Sequence, residues 1–301
     1  MKLEDVKKVG IIGCGTVGPT IAAAIALKYP VVVKELNKKL ADKGFQSISQ
    51  CFPALVRRNV ITEVQKEVAV SQVSMTAELK DLKDCQVIID AVPDILELKV
   101  SNLAELNKIC SPDAIFTTTS SLMSITALAT GSGRPDRFVG THFTNPAHLM
   151  ALVEVAPAVQ TSQETIDSIT NFLKELGKTP IKCKDSPGYI VNYLFFPYLT
   201  QAVEALEKGL GTVEEIDTAI KLGLGHPMGP FELMDMFSLD TCVTSFNAIY
   251  QQLQDKRYAC PVIITKLYEA GHLGRKSGSG FYSYDEKGKK AGVNEAVKSM
   301  L

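Results

Sequence analysis

The 301-residue sequence has no tryptophan, and its seven cysteines, at 14, 51, 85, 110, 183, 242 and 260, stand singly, with no C-x-x-C and no cluster with histidine. Neither a zinc site nor a disulfide framework is indicated, and reduced thiols of a cytoplasmic protein are the expectation. An excess of charge is missing too. With 32 Lys+Arg against 33 Asp+Glu the net charge is −1, so no nucleic-acid partner working through bulk charge is expected, although a local basic patch could still meet a phosphorylated small molecule. Long hydrophobic runs are also absent: the longest apolar stretch, Thr20 to Val33, is broken by Lys28 and Pro30 and is too short for a bilayer. No membrane association is expected. Acids at positions 4 and 5 precede any hydrophobic segment, which fits neither a secretory signal nor an Arg-rich transit peptide, and a cytoplasmic location follows as the expectation.

What is present is apolar material, 46% of residues, enough for the cores of about two domains. Residues 8 to 35 read as one βαβ unit. A strand, Lys8 to Ile12, runs into a glycine turn; the alanine-rich run Ala22 to Leu27 supplies a helix and Val31 to Val33 a second strand. Further strands are read at Gln86–Ala91, Ala114–Thr119, Arg137–Thr141, Leu152–Ala156 and Pro180–Cys183, although not every gap between them has room for a crossover helix. Continuous β-branched runs imply strands buried on both faces, hence a doubly wound, mainly parallel α/β sheet. The long polar stretch from Asn37 to Asp84 reads as a helical hairpin projecting from that sheet, and Ile166 to Leu176 as an amphipathic helix. After Lys184 the character becomes helical, with Ser186 as N-cap and Pro187 at the first helical position. The expected domains are residues 1–184 and an all-helical 185–301.

Three patterns carry chemistry. Gly13-Cys14-Gly15-Thr16-Val17-Gly18 follows a strand and opens a helix, and Glu35 ends the next strand 22 residues after Gly13, the context that makes such a fingerprint a dinucleotide site. Gly13 permits the turn, Gly15 lets the backbone approach a pyrophosphate, Gly18 allows close helix–strand packing, and Glu35 can accept from a ribose diol. The second pattern is His142 in Gly140-Thr141-His142-Phe143-Thr144-Asn145-Pro146, followed 12 residues later by Glu154 within Leu152-Val153-Glu154-Val155. A carboxylate in an apolar strand is costly unless paired, and a histidine at a strand's C-terminal end is a natural partner; an edge-strand Glu and a core His are the alternative. The third is the hydroxyl cluster Thr117 to Ser121, which suits either a helix N-cap or donors to a ligand oxygen.

With Asp90-Ala91-Val92-Pro93-Asp94, Thr119-Ser120-Ser121-Leu122, Lys184 to Asn192, Gly225 to Leu233 and Gly274 to Tyr282, these motifs resemble the L-3-hydroxyacyl-CoA dehydrogenase family, of the 3-hydroxybutyryl-CoA type, over nearly the whole chain. The resemblance implies a Rossmann-type NAD-binding domain followed by a helical domain through which the chain forms a homodimer. It implies His142 as general acid/base, Glu154 on its other nitrogen, and Ser120 and Asn192 hydrogen-bonded to the reacting oxygen or the thioester carbonyl of an acyl-CoA, in a cleft between domains. NAD would lie on Gly13, Gly15, Thr16, Val17, Gly18 and Glu35, with Asp94 and Lys99 at its nicotinamide end and Asn145 beside it. No metal is implied.

The family pattern is departed from at Ala151, where Lys is usual, Tyr193 (Arg), Thr118 (Asn) and Thr144 (Phe), and the segment after Ser121 is one residue longer. These changes surround the substrate residues, so a related dehydrogenase of a free hydroxy acid or sugar acid, or a non-catalytic NAD- or acyl-CoA-binding protein, stands as the alternative. Arg57, Arg58 and Lys66 on the insertion read either as a solvated face or as contacts for CoA phosphates. His148 and His272 are expected at the surface, His226 in a turn between helices, and Arg275-Lys276 in a structural turn.

Overall fold

The computed structural model describes residues 6–301. The chain divides into two compact units, the first ending at Tyr189 and the second running from Ile190 to Leu301.

In the first unit the apolar runs form strands: Val9–Ile12 (β1), Val31–Lys34 (β2), Val73–Thr76 (β3), Val87–Asp90 (β4), Ile115–Thr118 (β5), Phe138–Phe143 (β6), Leu152–Pro157 (β7) and Thr179–Lys182 (β8). They make one eight-stranded sheet in the order β3-β2-β1-β4-β5-β6-β7-β8. The first six are parallel; β7 runs antiparallel to β6, and β8 parallel to β7. That reversal accounts for the short connection between β6 and β7, since an antiparallel neighbour needs no crossover helix. The central strands are buried along their whole length, and alternate residues serve two cores. Val9, Ile11, Val31, Val33, Val87 and Ile89 face one layer, while Ile12, Val32, Ile88 and Phe116 face the other. Helices Gly18–Ala26 (α1), Lys38–Ser49 (α2), Phe52–Arg57 (α3), Glu63–Ser71 (α4), Leu96–Ile109 (α5), Ile125–Ser132 (α6) and Gln163–Glu175 (α7) complete the unit.

The insertion differs from the expected projecting hairpin. It holds three helices and ends in the edge strand β3, and Ile48, Phe52, Leu55 and Ala69 are buried in the same core as β1. Its apolar residues are too few to announce this in sequence, but they suffice to anchor it. α4 is closed by a capping box between Thr62 and Gln65.

The boundary falls at Tyr189 rather than at Lys184, because residues 185–189 bond back into the first unit. Asp185 accepts from the N–H groups of Ile125 and Thr126 at the start of α6 (2.9 and 2.8 Å), and the Gly188 N–H donates to Ser121 O at 2.8 Å. Ser186 is consequently not a helix cap. Gly188 and Tyr189 take positive φ (79° and 50°), and the helix starts only at Val191.

The second unit contains Val191–Glu207 (α8), Val213–Leu224 (α9), Pro230–Phe237 (α10), Leu239–Leu253 (α11), Val262–Glu269 (α12) and Glu295–Lys298 (α13). It is not wholly helical: Tyr282–Tyr284 (β9) and Lys290–Val293 (β10) pair antiparallel. Two buried carboxylates organise it. Asp217 accepts from the Phe231 and Glu232 N–H groups that open α10 and from the Tyr282 hydroxyl. Asp235 accepts from the Phe281 and Tyr282 N–H groups and the Tyr284 hydroxyl. A Cβ at Gly280 would stand 2.0 Å from Asp235 Oδ1, so the glycines around Arg275-Lys276 make room for a structural turn.

Among the described residues no helix is long and apolar enough to cross a membrane, and no group of His, Cys, Asp or Glu could hold a metal ion. All seven cysteines are free, five of them buried.

Candidate active site

The antiparallel register sets His142 of β6 opposite Glu154 of β7. Their side chains meet, Nδ1 to Oε2 at 2.7 Å, with the imidazole 19% exposed and the carboxylate 1% exposed. A carboxylate on Nδ1 fixes that nitrogen as the donor, so Nε2 is the atom that can take or give a proton. The Tyr189 ring lies against the imidazole, centroids 5.8 Å apart.

The hydroxyl cluster at the end of β5 is not a helix cap, a role taken by Ser124 for α6. Thr117, Thr118 and Ser120 are buried instead. Thr117 meets Thr141, Thr118 donates to Asp90 Oδ2 (3.1 Å), and Ser120 donates to Asp94 Oδ2 (2.9 Å). Behind them lies an ion cluster that sequence reading did not assemble. Lys99 is wholly buried, its Nζ 3.0 Å from Asp90 Oδ2, 3.3 Å from Asp94 Oδ1 and 2.9 Å from Val92 O. Burial pushes the Asp90 carboxyl up despite the opposing Lys99 charge. Asp94, 36% exposed, presents the cluster's negative charge at the surface. The available signal for Asp90 was the one that singled out Glu154, an acid in an apolar strand.

At the glycine turn, Gly13 has φ +91° and a Cβ there would press on Ala91 O at 2.9 Å. One at Gly18 would lie 2.2 Å from Gly13 O, whereas one at Gly15 would meet nothing within 4 Å. Space is thus left over Gly15, in front of the opening turn of α1, which with Thr16 and Val17 could hold a pyrophosphate. Glu35 is held by the Cys14 N–H (2.6 Å to Oε1) and the Leu36 N–H (3.1 Å to Oε2). A carboxylate so anchored keeps lone pairs for a diol. Asn145 is drawn to this turn, its Oδ1 3.2 Å from the Thr20 hydroxyl of α1. Asn192 is the second residue of α8, in the second unit.

Arg57 and Arg58 are exposed, and Lys66 pairs with Glu63 at 2.8 Å. His148 and His272, expected at the surface, are half-buried. Burial, with Lys178 and Arg58 nearby, lowers the His148 pKa, and His272 Nδ1 meets Ser279 Oγ at 2.5 Å. His226 is exposed between α9 and α10.

Residues 8–186 match the family of the 3-hydroxyacyl-CoA dehydrogenase NAD binding domain, and residues 188–284 match the corresponding C-terminal domain. The chain is 39% identical over 281 residues to a 3-hydroxybutyryl-CoA dehydrogenase of Bradyrhizobium diazoefficiens, covering 93% of this chain and 96% of the relative. It is 38% identical over 278 residues to a probable 3-hydroxybutyryl-CoA dehydrogenase of Deinococcus radiodurans, covering 92% of this chain and all of the relative. Among solved structures, an (S)-3-hydroxybutyryl-CoA dehydrogenase of Ralstonia eutropha superposes with a TM-score of 0.87 at 36% identity, covering 93% of this chain and all of that one.

Proposed function

This chain belongs to the 3-hydroxyacyl-CoA dehydrogenase family, an NAD-dependent class of oxidoreductase, and on that footing we propose that it interconverts short-chain L-3-hydroxyacyl-CoA and 3-oxoacyl-CoA with His142 and Glu154 as its proton-transfer pair. The observation that carries this reading is the 2.7 Å contact between His142 Nδ1 and the buried Glu154 carboxylate. When bound over the glycine turn, NAD supplies the hydride acceptor. His142 Nε2 takes the proton of the substrate hydroxyl, and the Glu154 charge stabilises the imidazolium that results. Ser120 and Asn192 hydrogen-bond the substrate oxygens, Asn192 being assigned through the motif in which it stands. Glu35 receives the ribose hydroxyls, and Asp94, with Lys99 behind it, and Asn145 border the nicotinamide.

A thioester suits this site better than a free acid. The Asp94 carboxylate lies 2.9 Å from the Ser120 hydroxyl, and the cation beside it, Lys99, is already shared between two carboxylates. A substrate carboxylate would meet repulsion and desolvation there without a partner. The short chain is supported by the names of the Bradyrhizobium and Deinococcus relatives.

The same proposal includes a homodimer through the second unit and a cytoplasmic location. Leu194, Leu210, Leu222, Leu224 and Val262 of that unit are each more than 60% exposed, apolar side chains that a partner subunit could cover. Free, mostly buried cysteines suit a reducing compartment.

NADH absorbance tests the function. Oxidation of NADH by acetoacetyl-CoA with kcat/KM at least a hundredfold above that for free acetoacetate is expected; activities within tenfold of one another would overturn the substrate class.

A further inference from the structure

Ser120 lies two residues beyond the end of β5, where the sheet ladder no longer holds the chain. The loop bearing it is instead fastened from residues 185–189, which lie far along the sequence. Asp185 binds the Ile125 and Thr126 N–H groups, the Gly188 N–H reaches Ser121 O, and the Tyr189 hydroxyl donates to Ser120 O at 2.8 Å. The ring of Tyr189 also lies against His142, centroids 5.8 Å apart and inclined by 52°. One buried side chain thus touches both residues to which the proposed reaction assigns the substrate oxygen and its proton.

We propose that Tyr189 is a positioning residue for this reaction, its hydroxyl holding the Ser120 backbone and its ring holding the His142 imidazole, so that the two groups keep a fixed separation.

Three observations support the role. Tyr189 occupies the left-handed region, φ 50°, a strained backbone for a side-chain-bearing residue that persists only where surrounding contacts impose it. Space for its hydroxyl is provided by an absent side chain, since a Cβ at Gly140 would come within 3.0 Å of that oxygen. Burial, with Asp185 nearby, keeps the phenol neutral and therefore a donor. The Ser120 hydroxyl donates to Asp94 in the absence of substrate; to reach a substrate oxygen it turns from that partner, and where it then points is set by where the backbone of residue 120 sits. A displacement of a few tenths of an ångström there reaches the substrate oxygen directly.

The inference rests on His142 being the acid/base, and the experiment separates the two claims. Tyr189→Phe keeps the ring and removes the hydroxyl. It should lower kcat by about five- to thirtyfold, leave KM for NADH and the melting temperature within error of the unchanged protein, and have no further effect on kcat when combined with Ser120→Ala. A kcat within twofold of wild type, or a fall that multiplies in full with that of Ser120→Ala, would show that the hydroxyl is only structural and overturn the proposal. Should Tyr189→Phe lower the melting temperature, comparing kcat of the folded fraction in the single and double variants still decides between the two. His142→Gln measured in parallel identifies the other failure: near-normal turnover in that variant overturns the acid/base assignment itself, and the Tyr189 role with it.

Discussion

Glu154 of β7 stands opposite His142 of β6 in an antiparallel pair, and its carboxylate meets the imidazole Nδ1 at 2.7 Å with almost no exposure to solvent. The register of two strands, rather than a flexible loop, fixes the pair, so the imidazole is oriented before any substrate arrives. The buried carboxylate would be costly alone, and its partner makes it affordable.

Removing the charge and keeping the shape should therefore damage the chemistry. Glu154→Gln is expected to lower kcat by roughly 10²- to 10³-fold with KM for NADH nearly unchanged. Because the two side chains act together, the double variant with His142→Gln should be little worse than the worse single variant. Steady-state kinetics of the four proteins check this, and fully multiplicative losses would speak against a unit.

Glu35 predicts the choice of cofactor. Held by the Cys14 and Leu36 N–H groups, it would, in the proposed binding mode, set a negative charge against a 2′-phosphate. A hydrogen bond to a charged group is worth about 1.5–3 kcal/mol, so kcat/KM for NADH should exceed that for NADPH by about ten- to a hundredfold. Lys34, Lys38 and Lys39 lie close in sequence and moderate the difference. Equal values would contradict the assignment.

Lys99→Met should be severe for stability as well as for activity. The variant strands Asp90, wholly buried, beside Asp94 without the cation that both share. Breaking such a pair from one side costs about 3–5 kcal/mol, whereas Lys99→Met with Asp90→Asn should recover part of the loss. Urea unfolding measures both, and a loss below about 1 kcal/mol in the single variant would contradict the prediction.

Asp235 supplies a pH dependence. Burial pushes its carboxyl from 3.8 up to about 6 against the hydrogen bonds from Tyr282, Phe281 and Tyr284. The folded chain then holds this proton more tightly than the unfolded chain between pH 3.8 and about 6. The stability it contributes is fully present below pH 3.8 and is lost as the pH rises through about 6, a change of roughly 3 kcal/mol at most. Relative to Asp235→Asn, wild-type protein should lose stability as the pH is raised from 4 to 7. Denaturation midpoints at several pH values check the trend; a constant or opposite difference would contradict it.

How far these features were legible in the sequence follows from their range. The buried parallel strands announced themselves as apolar runs, and the separation of His142 and Glu154 was readable because a short antiparallel connection brings nearby residues face to face. β3 was not, since Val73-Ser74-Met75-Thr76 is an edge segment with little apolar character. The Lys99 cluster joins a helix, two strands and a loop, and its spacing follows no period. Tyr189 was invisible for a different reason: its place depends on a left-handed backbone that favours glycine and that no pattern predicts for tyrosine. The glycines around residue 280 were visible as a motif, but their purpose, making room for Asp235, was not.

The central claim, that His142 moves the proton while NAD is bound elsewhere, is tested most directly by the turnover of His142→Gln with acetoacetyl-CoA at saturating NADH, alongside NADH affinity by fluorescence titration. The account predicts a kcat lower by about 10²- to 10⁴-fold with NADH affinity within twofold of wild type; turnover within tenfold of wild type would contradict it.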